Sequence, residues 1–121
     1  MIVYAIRGAT TAENTKEQIY ARTKELIKMI AAENGLSGKG ISITSVICSS
    51  TADITAAYPA AAVREEGFSD IPLFSCAEPE IDGALPLCIR LLVNVSSSGL
   101  EQRKAKHIYL HGAVVLRPDL N

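Results

Sequence analysis

Apolar residues recur along this chain in two rhythms, every second position or every third and fourth, and stretches of the two alternate. IVYAIR (2–7) is β-branched and apolar, predicts a strand, and is followed by Gly8 as a stop. ENTKEQIYARTKELIKMIAAENG predicts one long helix, with Ile19, Thr23, Leu26, Ile27 and Ile30 on a single face. Thr15 and Gln18 have the spacing of a capping box, and Asn34-Gly35 supplies the stop. After the turn GLSGKG, ISITSVICSS (41–50) predicts a second strand. YPAAAVREEG places Pro59 where a first helical turn tolerates it and predicts a short helix over 59–66. IPLFSC (71–76) predicts a short strand and ALPLCIRLLVNV (84–95) a longer one. VSSSGLEQRKAK is a polar connection, and HIYLHGAVVLRPDL predicts two short strands broken at His111-Gly112.

The order β-α-β-α-β-β-β predicts an α+β domain, a mixed sheet with both helices on one face. With 121 residues and no repeat, linker or low-complexity tract, residues 1–121 form one domain. Two helices cover one face of such a sheet and leave the other bare, while mean hydropathy is mildly positive at +0.19. Burial against identical subunits is the economical way to cover it, and closed symmetric oligomers are the usual form.

Charge and composition remove several classes. The formal net charge is −1, aromatic residues make up 5% and there is no Trp, so both the cationic field and the stacking platforms of a nucleic-acid surface are missing. The cysteines, Cys48, Cys76 and Cys88, are odd in number and lack Cys-x-x-Cys spacing, as expected of buried free thiols in a reducing cytoplasm. MIVYAIRGATT has no basic region ahead of an apolar stretch and reads as no signal peptide. No apolar run approaches the roughly 20 residues of a membrane span. The expected setting is the cytoplasm.

One residue resists the pattern. Within PLCIRLLVNV, strand alternation puts Leu87, Ile89, Leu91, Val93 and Val95 on one face, and Cys88, Arg90, Leu92 and Asn94 on the other. A buried unpaired charge costs several kcal/mol. Arg90 therefore has a built-in partner, with Glu78 and Glu80 the candidates, or reaches a sheet edge, or awaits an anionic ligand. Arg7, Arg64 and Arg117 also stand in apolar or turn contexts, where each reads either as a solvated charge or as a ligand contact. Tyr109 reads as core or as a site hydroxyl.

Familiar chemistries are absent from the sequence. There is no Gly-x-Gly-x-x-Gly or Walker loop, since Gly35, Gly38 and Gly40 are spaced as a plain loop. His107 and His111 sit four apart, but strand alternation and Gly112 argue against a helical zinc pair. Ser49-Ser50-Thr51 and Ser96-Ser97-Ser98 lack the His/Asp context of a hydrolytic triad. Arginines without nucleophile, metal site or nucleotide loop suit the holding of a small polyanion that rearranges by itself.

Ile6-Arg7-Gly8-Ala9-Thr10-Thr11, Tyr58-Pro59-Ala60-Ala61-Ala62-Val63-Arg64, Cys88-Ile89-Arg90, His107-Ile108-Tyr109-Leu110 and the run from Ala113 to Leu120 resemble, in order and over nearly the whole chain, the monofunctional chorismate mutases of the trimeric α/β class. The resemblance implies a homotrimeric pseudo α/β-barrel with active sites at subunit interfaces and no cofactor. It implies the Claisen rearrangement of chorismate to prephenate, on the route to phenylalanine and tyrosine. Arg90 would then donate to the ether oxygen and a carboxylate, and its partner in the site would be the substrate. Glu78 would accept from the ring hydroxyl, and Arg7 and Tyr109 would hold the carboxylate end. Tyr58, Ala60, Leu73, Phe74 and Ser75, with Cys76 and Ala77, would line the site from the neighbouring subunit. Arg64 and Arg117, with Leu116, would frame its mouth.

Three positions depart from that class. Ala61 stands where members often carry lysine, which removes one rim contact to a carboxylate. Ser75 replaces a cysteine found in some members and keeps a donor, and Tyr58 replaces a common phenylalanine and still walls the pocket. Two rival readings use the same arginines: a trimeric binder of a small dicarboxylate without turnover, and a trimeric deaminase of reactive enamines. Glu78 with Arg90 twelve residues on is the acceptor and donor pair that chorismate's hydroxyl and ether oxygen require.

Overall fold

The computed structural model of the chain describes residues 1–99, 104–117 and 119. Part of the polar connection, and Pro118 and Leu120 of the C-terminal motif, lie outside the described residues. Strand β1 (Ile2–Thr11), helix α1 (Lys16–Glu33), β2 (Ile41–Ser50), α2 (Pro59–Glu65), β3 (Leu73–Ala77), β4 (Cys88–Ser97) and β5 (Ile108–Tyr109) follow in turn, ending in a 3₁₀ helix (His111–Leu116). The sheet order is β3-β2-β4-β1-β5. β4 is central and antiparallel to both neighbours, while β3 and β5 add parallel strands at the edges. The sheet is mixed and the domain α+β, as the alternating rhythms predict.

α1 begins where Thr15 Oγ1 accepts from Gln18 N at 3.1 Å, and ends at Asn34 with Gly35 at φ 60°. Its fully buried residues are the five of the predicted stripe. Both helices lie on one sheet face, where Leu26, Ile27, Ile30 and α2's Val63 pack on Ile6, Val46, Leu91, Val93 and Val95. Among the described residues no helix lies over the centre of the second face. A small cluster of Ala9, Cys88, Tyr109 and Ala113, with Leu116 beside it, closes only one end.

Four local expectations need correction. β1 does not stop at Gly8 but pairs on to Thr11 opposite Cys88. The glycine answers to packing, because a Cβ there would lie 2.6 Å from Ile30 Cδ1. β4 starts only at Cys88 because Leu87 is left-handed, with φ 52°. Asp53 holds the Leu87 N–H at 2.9 Å, and Thr51 Oγ1 accepts from Cys88 N at 2.9 Å. The second terminal strand is a 3₁₀ helix. His111, at φ 51°, turns the chain out of the sheet, and Gly112 N donates to Thr11 Oγ1 at 3.0 Å. Of the three free cysteines, Cys48 and Cys88 are buried, but Cys76 is exposed on edge strand β3. Burial pushes the Cys48 thiol up to about 11, which keeps it protonated and inert.

Candidate active site

Register decides which side chains meet. Ala9 and Ser49 flank Arg90 on the two neighbouring strands, Leu92 pairs with Arg7, and Tyr109 pairs with Ala9. Since alternate residues share a face, Arg7, Ser49, Arg90 and Tyr109 all stand on the face opposite α1 and α2. The small side chains of Ala9 and Ser49 leave room beside the Arg90 guanidinium. Arg7, Ile47, Ser49, Arg90, Leu92 and Tyr109 line a cleft of about 220 Å³.

Glu78 follows β3 directly, and its N–H continues the ladder to Ser50 O at 2.9 Å. Its carboxylate accepts from Ser49 Oγ at 2.5 Å and lies 3.1 Å from Arg90 Nε. The first of the three possibilities for Arg90 therefore holds in the free chain: it has a partner of its own. The pairing is loose in one respect. The buried Nε–H is not aimed at the oxygen and has no hydrogen-bond acceptor among the described residues, and 43% of the Arg90 side chain stays exposed against 16% for Glu78. Charge rather than an aligned hydrogen bond holds the pair. Desolvation raises the nearby Cys88 pKa, an effect Arg90 partly opposes.

Arg7 is exposed and in no ion pair among the described residues. Arg117 makes a two-pronged contact with Asp119, at 2.9 and 3.2 Å. Asp119 is the main cause of its raised pKa, and the Tyr109 hydroxyl contributes too, which sets Arg117 beside the cleft. Leu116 packs against the cluster that holds Tyr109.

The remaining expected residues do not join this cleft within one chain. Tyr58, Ser75, Cys76 and Ala77 line a larger hollow of about 510 Å³ with Cys48, Ser50 and the loop that follows β2. Phe74 is 68% exposed. Arg64 is exposed on the last turn of α2. Ala60 is buried in the main core and Leu73 packs against it, so neither side chain reaches a cleft here. Ser49, which in the sequence stands out only as part of Ser49-Ser50-Thr51, also lines the cleft. Its position two residues from Ile47, on the face opposite Val46 and Cys48, was the available signal.

This arrangement defines an α+β enzyme scaffold whose open sheet face gathers two arginines, a glutamate and a tyrosine. The chain matches the family model for chorismate mutase type I over residues 3–120. A curated relative from Bacillus subtilis (strain 168), chorismate mutase AroH, is 39% identical over 123 residues, covering 100% of this chain and 94% of the relative. The chorismate mutase AroH of Thermus thermophilus is 39% identical over 120 residues, covering 98% of this chain and 97% of that protein. A solved structure of a chorismate mutase from Clostridium thermocellum matches with a TM-score of 0.81 at 39% identity, over 93% of this chain and 98% of that one. The chain belongs to the chorismate mutase type I family.

Proposed function

We propose that the open-face cleft is one half of an active site that rearranges chorismate to prephenate, and that a homotrimer completes it. Family membership makes the reaction an isomerisation. The ether C–O bond breaks while a C–C bond forms within the same molecule, and no proton need move. Catalysis then rests on folding the substrate into a compact conformer and on donors fixed where charge develops. Arg90 is such a donor, aimed at the ether oxygen and a carboxylate. Glu78, held by Ser49, accepts the ring hydroxyl, and Arg7 and Tyr109 take the carboxylate end.

The observation that carries this reading is the Arg90–Glu78 pair, a cation and an acceptor side by side at the sheet face opposite α1 and α2. A cleft of about 220 Å³ is below the roughly 300–1,000 Å³ of a typical small-molecule site, so it suits a half-site. The second wall would come from a neighbour's Tyr58, Phe74, Ser75, Cys76 and Arg64, with the backbone at Ala60 and Leu73 behind them. Exposed Val3, Phe74 and Val115 are apolar surface for the subunits to bury. The enzyme would work in the cytoplasm, on the route to phenylalanine and tyrosine.

Mixing tests the shared site. Arg90→Ala and Tyr58→Asp chains, each inactive alone, are expected to regain part of the turnover after co-refolding, because some interfaces then hold both wild-type halves. No rescue in mixed trimers shown to form would place the whole site in one chain.

A further inference from the structure

β5 is only two residues long, whereas the edge of β1 that it covers is longer. Gly8 and Ala9 pair with Ile108 and Tyr109, and Leu110 N donates to Ala9 O at 2.9 Å. One step earlier, at Arg7, a side chain takes the place of a backbone acceptor. Arg7 N–H donates to His107 Nδ1 at 3.0 Å. That bond needs the Nδ1 lone pair, hence a neutral imidazole with its proton on Nε2. The donor's own side chain is the Arg7 guanidinium, and the acceptor lies two residues before Tyr109. From the other side Asn34, at the end of α1, clamps Lys106 through N–H to Oδ1 at 2.8 Å and Nδ2 to O at 2.9 Å. The segment leading to Tyr109 is thus tied to α1 at residue 106 and to β1 at residue 107.

We propose that His107 is a positioning residue of the active site: its neutral imidazole replaces a missing ladder acceptor and holds Arg7 and Tyr109 in register for the substrate's carboxylate. The inference rests on the assignment of Arg7 and Tyr109 to the cleft. The charges near enough to act on the imidazole are Arg7 on β1 and Arg117 after the 3₁₀ helix. Lys104, Lys106 and Asp119 share the same surface hollow, to which α1 contributes the apolar Met29. Burial first, then Arg7 and Arg117, lower the His107 pKa below 6.5. Because the folded value is depressed, the ordered arrangement is fully favoured above the unfolded value and weakens as pH falls through the folded one. Protonation both removes the acceptor and sets a third cation beside two arginines.

His107→Asn and His107→Ala separate the acceptor from mere bulk, since asparagine Oδ1 takes the place of Nδ1 and does not titrate. KM and kcat are measured for wild type and both variants from about pH 5 to 8, where carboxylates stay ionised. His107→Ala is expected to raise KM roughly three- to tenfold, the worth of one hydrogen bond, with a smaller change in kcat. His107→Asn is expected to restore KM and to abolish the rise in KM that wild type shows at the acid end. Equal behaviour of the two variants, or an acid limb that persists in His107→Asn, overturns the inference. If His107→Ala does not fold, the acid limb of His107→Asn decides alone. Arg7→Ala run in parallel isolates the underlying assumption: unchanged kcat/KM there removes the cleft assignment itself. A large loss with Arg7→Ala beside normal His107 variants overturns only the role of His107.

Discussion

The two faces of β4 are made by one ten-residue strand and behave as two different materials. Toward the helices stand Ile89, Leu91, Val93 and Val95, all buried. Away from them stand Cys88, Arg90, Leu92 and Asn94, of which only Cys88 is fully covered. The helix side is closed within a single chain, where α1, α2 and flanking residues such as Leu36 and Ile54 cover its aliphatic groups. The other side is unfinished, with a charge pair, a shallow cleft and exposed apolar residues. Buried aliphatic packing is concentrated where the strand is closed, and the proposed chemistry where it is left open. Alternation lets neighbouring residues serve the two ends without compromise.

The largest effect expected from breaking this division is at Arg90. In the proposed site Arg90→Ala would remove a donor to charge that appears mainly in the transition state, so kcat should fall more than substrate affinity does. Loss of one such donor costs on the order of 10²–10³ in rate, roughly 3–4 kcal/mol. Lysine restores the charge but not the planar fork and should recover only part of it. Because Arg90 also pairs with Glu78, some stability goes too. The pair is partly exposed and Glu78 keeps Ser49, so that loss should be about 1 kcal/mol. Thermal unfolding and chorismate turnover on one preparation compare the two. A collapse in Tm with near-normal turnover of the folded fraction would make Arg90 structural.

The mirror experiment is on the closed side. Ile27 is fully buried against the sheet, and Ile27→Ala deletes its contacts and leaves a cavity. A cost of about 2–5 kcal/mol in unfolding free energy is expected, with kcat per folded enzyme nearly unchanged, read from denaturant melts and active-site titration. A drop in kcat as large as that of Arg90→Ala would show that the faces are mechanically coupled and would undo the comparison.

The same division explains what could be read from sequence. The closed side announces itself in periodicity: the five stripe residues of α1 and the alternation of β4 need no knowledge of neighbours. The open side depends on register, since residues 7, 49, 90 and 109 come from four strands and share a face only once the pairing is known. Their proposal as a site rests on motif resemblance, not on pattern. Local misreadings have the same root. Gly8 looks like a strand stop because nothing local reveals Ile30 above it. Val114-Val115 looks like a strand because β-branching does not reveal that His111 has turned the chain away from the sheet.

The smallest effect expected concerns Ala61, on α2 one turn before Arg64 and half-buried. Residues three apart on a helix are neighbours, so a lysine at 61 would place a second cation beside Arg64. If α2 forms a rim of the shared site, Ala61→Lys should lower KM for the doubly anionic substrate a few-fold and leave kcat alone, since a rim contact acts equally on ground and transition states. The gain should shrink with added salt, because an exposed pair is screened over a Debye length of about 8 Å at physiological ionic strength. KM measured at low and high ionic strength checks both points. A gain that ignores salt, or one that appears in kcat, would mean that position 61 faces the reacting bond and not the rim, and the open side of the comparison would then reach further along α2 than the single chain suggests.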